Sequence, residues 1–224
     1  MTELSREQKN TIIAKNIAMN LEPNSYINLG VGLPTEVAYY IKPEQNIILH
    51  AENGLIGTAG DVKKGETFDP DVISSSGFPT TYKEGASFFD SALSFGIIRG
   101  GHLSATVLGT MEVDQHGNIA NYTIPGKLVV GMGGAMDLCV GARNVIIATT
   151  HTNKERPKIL KECRIPLTAK NVATQIVTEK AIFDVKGTYL LLTHYNPIFD
   201  IEDIINEVEA DVKVADDLKQ MITE

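Results

Sequence analysis

The chain has 224 residues, 43% of them hydrophobic, and a formal net charge of −8, which is enough to bury a full core as one domain spanning 1–224. That charge, with no block of Lys or Arg, argues against a nucleic-acid groove or an anionic membrane surface as a partner, while leaving room for a local positive pocket that takes a small anion. No segment reaches a membrane-spanning length and Met1 to Gln8 lack the apolar run of a signal peptide, so the expected compartment is the cytoplasm, where Cys139 and Cys163 need no disulfide.

Ser5 to Leu21 places Ile12, Ile13, Ile17 and Leu21 at helical spacing behind a Ser5/Gln8 capping box, predicting an amphipathic helix that Pro23-Asn24 ends. Tyr26 to Leu29 reads as a strand, Gly30 to Thr35 as a turn, Glu36 to Ile41 as a short helix with Pro34 near its start, and Asn46 to Glu52 as a second strand. This β-α-β start points to an α/β fold: an open, mainly parallel sheet flanked by helices. Gly54 to Tyr82, punctuated by Gly57, Gly60, Gly65, Pro70, Gly77 and Pro79, predicts long loops with one strand at Asp71 to Ser74. Ala86 to Ile98 then reads as helix, His102 to Leu108 as strand, and Met111 to Ile119 as two strands about a turn at Gln115 to Gly117. Leu128 to Gly134 resembles a strand entering a glycine-rich turn and a helix, and Asn144 to Thr150 another buried strand. Thr168 to Glu179 reads as helix, Ala181 to Val185 and Thr188 to Thr193 as strands, and Ile201 to Val208 as a closing helix.

Several chemistries lack their residues. The histidines at 50, 102, 116, 151 and 194 form neither an HExxH motif nor a Cys/His ligand spacing, so structural roles are expected and no metal. Gly131-Met132-Gly133-Gly134-Ala135-Met136 has methionine where a dinucleotide fingerprint needs its third glycine, and there is no Walker lysine-serine pair and no GxSxG elbow. A nucleotide cofactor and a serine triad are therefore not indicated.

What remains is Leu49-His50-Ala51-Glu52-Asn53-Gly54, where a buried strand delivers one carboxylate into a glycine turn. Ligands of parallel α/β sheets bind at that carboxyl edge of the strands. A glutamate is ionised at neutral pH and attacks an acyl carbonyl without a general base, although a solvated loop glutamate fits the pattern too. The resulting oxyanion needs preorganised donors, which Gly131-Met132-Gly133-Gly134 can supply from its backbone if that turn is more than a tight strand-to-helix connection.

These stretches, together with Asn28-Leu29-Gly30-Val31-Gly32-Leu33-Pro34, Ile98-Arg99-Gly100-Gly101-His102, Ile124-Pro125-Gly126-Lys127-Leu128, Leu167-Thr168 and Ile176 to Ala181, resemble the β subunit of 3-oxoacid CoA-transferases from about residue 8 to 200. The resemblance implies the CoA-transferase fold and a glutamate that attacks an acyl-CoA thioester and then carries CoA as a glutamyl thioester. Glu52 matches that nucleophile, Gly133 and Gly134 the oxyanion donors, and Asn28, Asn53 and Gly131 positions that bind CoA. CoA is then substrate and covalent intermediate, with no further cofactor. A separate α subunit completes the pocket, usually as α2β2, for short-chain carboxylates such as acetoacetate with butyrate, acetate or succinate. A 3-oxoadipate CoA-transferase subunit, or a non-catalytic regulatory subunit on the same fold, are the alternatives. Two departures stand out: Ala51 where many relatives carry serine, and Phe78 near a position where the animal enzymes have a CoA-binding lysine, which leaves Lys63, Lys64 or Lys83 as the anchor here, or a looser hold on CoA.

Overall fold

The computed structural model describes residues 4–62, 65–154 and 156–223. Helix α1 (Arg6–Asn20) starts at Ser5, whose Oγ accepts from the Gln8 backbone N–H at 3.2 Å while Gln8 Oε1 accepts from the Ser5 N–H at 2.8 Å. These reciprocal bonds satisfy donors that a helix start leaves without partners. Strand β1 (Tyr26–Leu29) follows, then the short helix expected over Glu36 to Ile41, which is a 3-10 helix over Leu33–Tyr40 with Pro34 in its first turn. Strand β2 (Ile48–Ala51) lies parallel to β1.

Beyond β2 the loops expected over Gly54 to Tyr82 contain two antiparallel strands, β3 (Leu55–Asp61) and β4 (Thr80–Phe88), and Asp71 to Ser74 keeps only a bridge from Ile73 to Pro79. The glycines explain the difference. Gly57 and Gly60 have φ of +94° and +102°, and the pairing of β3 with β4 slips between Ile56 and Thr58 and again before Gly60, so the alternation that marks a strand is broken. The expected helix from Ala86 begins later, as α2 (Ser91–Arg99), where Asp90 Oδ1 caps the Leu93 N–H at 2.8 Å.

Strand β5 (Ala105–Leu108) leads to the expected hairpin β6 (Glu112–Asp114) and β7 (Ile119–Ala120), then to a small hairpin β8 (Thr123–Ile124) and β9 (Leu128–Val129), α3 (Ala135–Gly141) and β10 (Asn144–Ala148). Short strands β11 (Thr152–Asn153), β12 (Arg156–Pro157) and β13 (Ile159–Leu160) come next. The expected helix over Thr168 to Glu179 is instead an irregular segment ending in β14 (Gln175–Val177), because Ile176 and Val177 serve opposite cores from a sheet position. Strands β15 (Ala181–Val185) and β16 (Leu190–Tyr195), helix α4 (Ile201–Asn206) and an unforeseen β17 (Val212–Gln220) complete the fold. β17 escapes a hydrophobicity reading because it is an edge strand with charged residues at Lys213, Asp216, Asp217 and Lys219.

Ten strands form one sheet in the order β17-β16-β15-β14-β10-β5-β1-β2-β3-β4. Its centre, from β14 to β2, is parallel, with antiparallel strands on both flanks. Ile12, Ile13, Ile17, Ile27 and Val37 pack on one face beneath α1, and Ile98, Leu138, Phe183 and Ile204 on the other beneath α2, α3 and α4. Neighbours within a strand divide between these cores, as Val107 and Leu108 do in β5, so the central strands are apolar on both faces except where Asn28, His50 and Thr106 align.

Candidate active site

Register across the central strands sets a polar row at their carboxyl edge: Asn28 in β1 lies opposite both His50 in β2 and Thr106 in β5. All three are buried, and buried polar groups need partners. Asn28 Nδ2 donates to the His50 carbonyl at 3.1 Å and to Glu52 Oε2 at 3.0 Å, while its Oδ1 accepts from the Thr106 hydroxyl at 3.1 Å. Two acceptors on one side of the amide fix its orientation. Glu52, half-buried just past β2, is thereby held by a side chain from the neighbouring strand.

The turn that aims Glu52 admits only glycine at position 54. Its φ is +120°, and a Cβ there would lie 2.0 Å from the Phe89 carbonyl oxygen. The Gly54 N–H closes the turn onto Ala51 O at 3.0 Å and the Phe89 N–H donates to Gly54 O at 3.0 Å, so the turn is pinned to the segment that enters α2.

The second glycine turn stands across from it. Gly131 and Gly133 have φ of +81° and +52°, and a Cβ on Gly134 would sit 3.4 Å from both Glu52 Cγ and the Phe95 ring. Among the described residues, the N–H groups of Met132, Gly133 and Gly134 donate to no acceptor. Glu52, Gly131, Gly133 and Gly134 line one cavity of about 520 Å³. Asn53 is not with them: it is exposed, and its amide donates to the Ile73 carbonyl at 2.8 Å, tethering the loop before β4.

Ala51, preceding Glu52, faces a different space, an apolar slot of about 240 Å³ bounded also by Leu29, Tyr39, Leu49 and Phe78. Alternation along a strand accounts for this. Slot and cavity meet at Val31 and Ser75. Two buried polar atoms in the slot lining, His50 Nδ1 and Ser74 Oγ, have no hydrogen-bond partner among the described residues. The His50 ring stacks on Phe89 at 6.3 Å and its Nε2 pairs with Ser94 Oγ at 3.1 Å. Burial lowers the His50 pKa from its ordinary 6.5, more than the nearby Glu52 charge raises it, so the imidazole is held neutral. It bonds to Ser94 and not to the Glu52 carboxylate.

Sequence reading missed Thr106 and His50. A signal for Thr106 was present: one polar residue in the apolar run Ala105-Thr106-Val107-Leu108 of a buried strand must find a partner. Of the expected CoA anchors, Lys83 is exposed on β4, and Lys63 and Lys64 lie outside the described residues. Burial pushes the Cys139 thiol up to about 12, and burial together with Asp114 and Glu112 pushes Cys163 up as well, so neither is an activated thiol. Among the described residues no cluster of His, Cys, Asp and Glu converges to hold a metal ion, and no helix is long and apolar enough to cross a membrane.

Residues 10–207 match the family described as Coenzyme A transferase. The chain is similar to the beta subunit of the acetate CoA-transferase of Haemophilus influenzae, at 48% identity over 212 residues covering 94% of each chain. It is also similar to a subunit of the succinyl-CoA:3-ketoacid coenzyme A transferase of Helicobacter pylori, at 42% identity over 90% of this chain and 97% of that one. Its fold resembles the crystal structure of the acyl-CoA transferase YdiF from Escherichia coli O157:H7, with a TM-score of 0.76 and 22% identity, and this chain spans 45% of that longer one. Matched over most of its length by the family and by relatives bearing its name, the chain belongs to the coenzyme A transferase family and is a transferase.

Proposed function

We propose that the chain is the β subunit of a short-chain CoA-transferase and that Glu52 carries CoA as a glutamyl thioester. One observation carries this reading: Glu52 stands on the wall of a cavity with Oε2 held by Asn28 and, among the described residues, no partner on Oε1. A carboxylate fixed through one oxygen presents the other in a defined direction, which is the geometry a nucleophile needs.

In this reading Oε1 attacks the thioester carbonyl carbon, and the oxyanion that forms is met by the N–H groups of Gly133 and Gly134. The C–S bond breaks, leaving an acyl-glutamyl anhydride and the CoA thiolate. The thiolate attacks the glutamyl carbonyl and expels the first carboxylic acid as its anion. A second carboxylate then reverses the sequence and leaves as the new acyl-CoA, regenerating Glu52. CoA enters as substrate, and no other cofactor takes part. The apolar slot beside Ala51 suits the pantetheine arm, whose amides would supply partners for His50 Nδ1 and Ser74 Oγ. The acids are acetoacetate or a similar 3-oxoacid on one side and acetate, butyrate or succinate on the other; the names of the relatives support acetate, succinate and a 3-ketoacid. A separate α subunit, in an α2β2 assembly, closes the cavity from its open side. Val129, Val130 and Val140, exposed around the second glycine turn, are apolar surface of the kind a subunit contact covers.

The test compares the wild-type and Glu52→Ala complexes, each assembled with its partner subunit and incubated with acyl-CoA. Intact mass should gain a hydroxylamine-sensitive CoA adduct at Glu52 in the first and none in the second, and transfer should vanish with Glu52. Retention of more than a few per cent of activity by a natively melting Glu52→Ala complex overturns the covalent route.

A further inference from the structure

A second, larger cavity of about 690 Å³ opens at the carboxyl edge of β5 and β10 and shares Val31, Gly109 and Thr110 with the cavity of Glu52. The two are neighbouring chambers of one cleft. In a chain of net charge −8, this chamber gathers Arg6, Lys9, Lys154 and Lys158. Among the described residues its only acidic lining side chain is Glu36, whose Oε1 is occupied by the Asn10 amide at 2.7 Å.

Lys9 is accounted for by the fully buried Glu179, 3.6 Å away. Arg6, Lys154 and Lys158 have no carboxylate within ion-pair distance among the described residues. Lys158 is desolvated enough that its pKa falls from 10.5 to about 8, although Glu179 acts in the opposite direction. Such a cation is poorly compensated by the protein alone. Thr149, in the same lining, is 3% exposed and its hydroxyl has no hydrogen-bond partner among the described residues. Among the described residues, a buried hydroxyl left unbonded and three cations left unpaired in one chamber lack the same thing, a group that accepts hydrogen bonds and carries negative charge.

We propose that this chamber is an oxyanion subsite in which Arg6, Lys154, Lys158 and the Thr149 hydroxyl hold a phosphate or carboxylate group of the same ligand whose reacting end lies at Glu52. The assignment rests on the proposed function for its second half, that the ligand spans both chambers. The volume falls within the range of small-molecule sites; the shared wall at Val31, Gly109 and Thr110 gives an acyl group a path from Glu52, and Val31, Gly32 and Thr35, shared with the apolar slot, give the pantetheine arm one. Two groups have the required chemistry: the phosphates of CoA, and the distal carboxylate of a dicarboxylic acyl group.

The first experiment titrates pyrophosphate into the full chain, alone and assembled with its partner subunit. The wild type should bind, and Lys158→Met should weaken binding at least tenfold. Because removing Lys158 alters the surroundings of the buried Glu179, the decisive variant is Arg6→Gln combined with Lys154→Gln, both exposed and, among the described residues, unpaired, which should weaken binding at least tenfold without moving the melting temperature. Glu52→Ala should bind pyrophosphate as the wild type does. Failure of the Glu52 chemistry with this binding intact therefore removes the proposed reaction and leaves the anion site standing.

Steady-state kinetics on the complex then distinguish the source. A KM in the double variant that rises tenfold for acyl-CoA but not for acyl-pantetheine assigns the chamber to the phosphates. A rise for a dicarboxylic acceptor but not for a monocarboxylic one assigns it to the carboxylate. Pyrophosphate binding that changes less than twofold in the double variant overturns the proposal. So does binding to the chain alone that disappears in the complex, since acidic side chains of the partner would then occupy the chamber, and so does a KM unchanged for all four substrates.

Discussion

Gly54 and Gly131 both hold backbone angles that L side chains rarely adopt, yet only one is also hemmed in by its neighbours. A Cβ at Gly54 meets the Phe89 carbonyl at 2.0 Å, whereas one at Gly131 or Gly133 meets nothing within 4 Å. The turn that carries Glu52 is thus locked by packing against the entry to α2, and the turn facing it is shaped by its own backbone and open to the cavity. Gly134 stands between these cases: a Cβ there would just touch Glu52 and Phe95 at 3.4 Å, and a larger side chain would press on them. In the proposed reaction, where Glu52 is aimed and an oxyanion received, the aiming side is rigid and the receiving side presents N–H groups unbonded among the described residues. The two turns should therefore fail in different ways when a side chain is added.

The largest effect is expected from Gly54→Ala, which combines backbone strain with a collision against main chain that cannot rotate away. A loss of about 3 kcal/mol or more in urea unfolding is predicted, with activity lost alongside the fold. A variant that unfolds at the wild-type midpoint would break the contrast between the turns. Gly134→Val should behave oppositely, melting nearly as the wild type while kcat falls by roughly 10²- to 10³-fold, because its methyl groups displace Glu52 and the oxyanion. A steep rise in KM at constant kcat would instead mean that this turn binds the resting substrate.

A smaller effect should follow from Thr106→Val, which keeps the side-chain shape and removes the hydroxyl on Asn28 Oδ1. We expect a cost of about 1 to 2 kcal/mol in stability and a fall of roughly tenfold in kcat/KM, with Thr106→Ser restoring turnover. Full turnover in the valine variant would mean that the His50 carbonyl alone orients Asn28. Gly131→Ala should be the mildest, about 1 kcal/mol from its positive φ with activity within a few-fold of the wild type. A loss as large as that of Gly54→Ala would erase the distinction, and matched melting curves and initial rates for the two alanine variants decide it.

Much of the site was legible in the residues themselves. The capping box of Ser5 and Gln8, strands at Tyr26 to Leu29 and near Ile48 to Ala51, and a carboxylate arriving at a strand end follow from spacings within a few residues, and local hydrogen bonds and side-chain periodicity decide such features. The misread stretches each had a local pattern overridden from a distance. Thr168 to Glu179 has helical-looking spacing, but Ile176 and Val177 are each wanted by a different core, and Gly57 and Gly60 look like loop punctuation until β4 pairs across them.

What the sequence by itself determined was therefore the presence of Glu52 at the carboxyl edge of a parallel strand, and the glycines on either side of the cleft. Only the tertiary structure decided what holds and surrounds that carboxylate. Thr106 reaches Asn28 across 78 positions of sequence, and Asn28 reaches Glu52 across 24. The cations of the second chamber come from α1 and from the segment after β10. None of these meetings has a local signature, because each depends on strand order and register, which bring distant residues to one edge of the sheet.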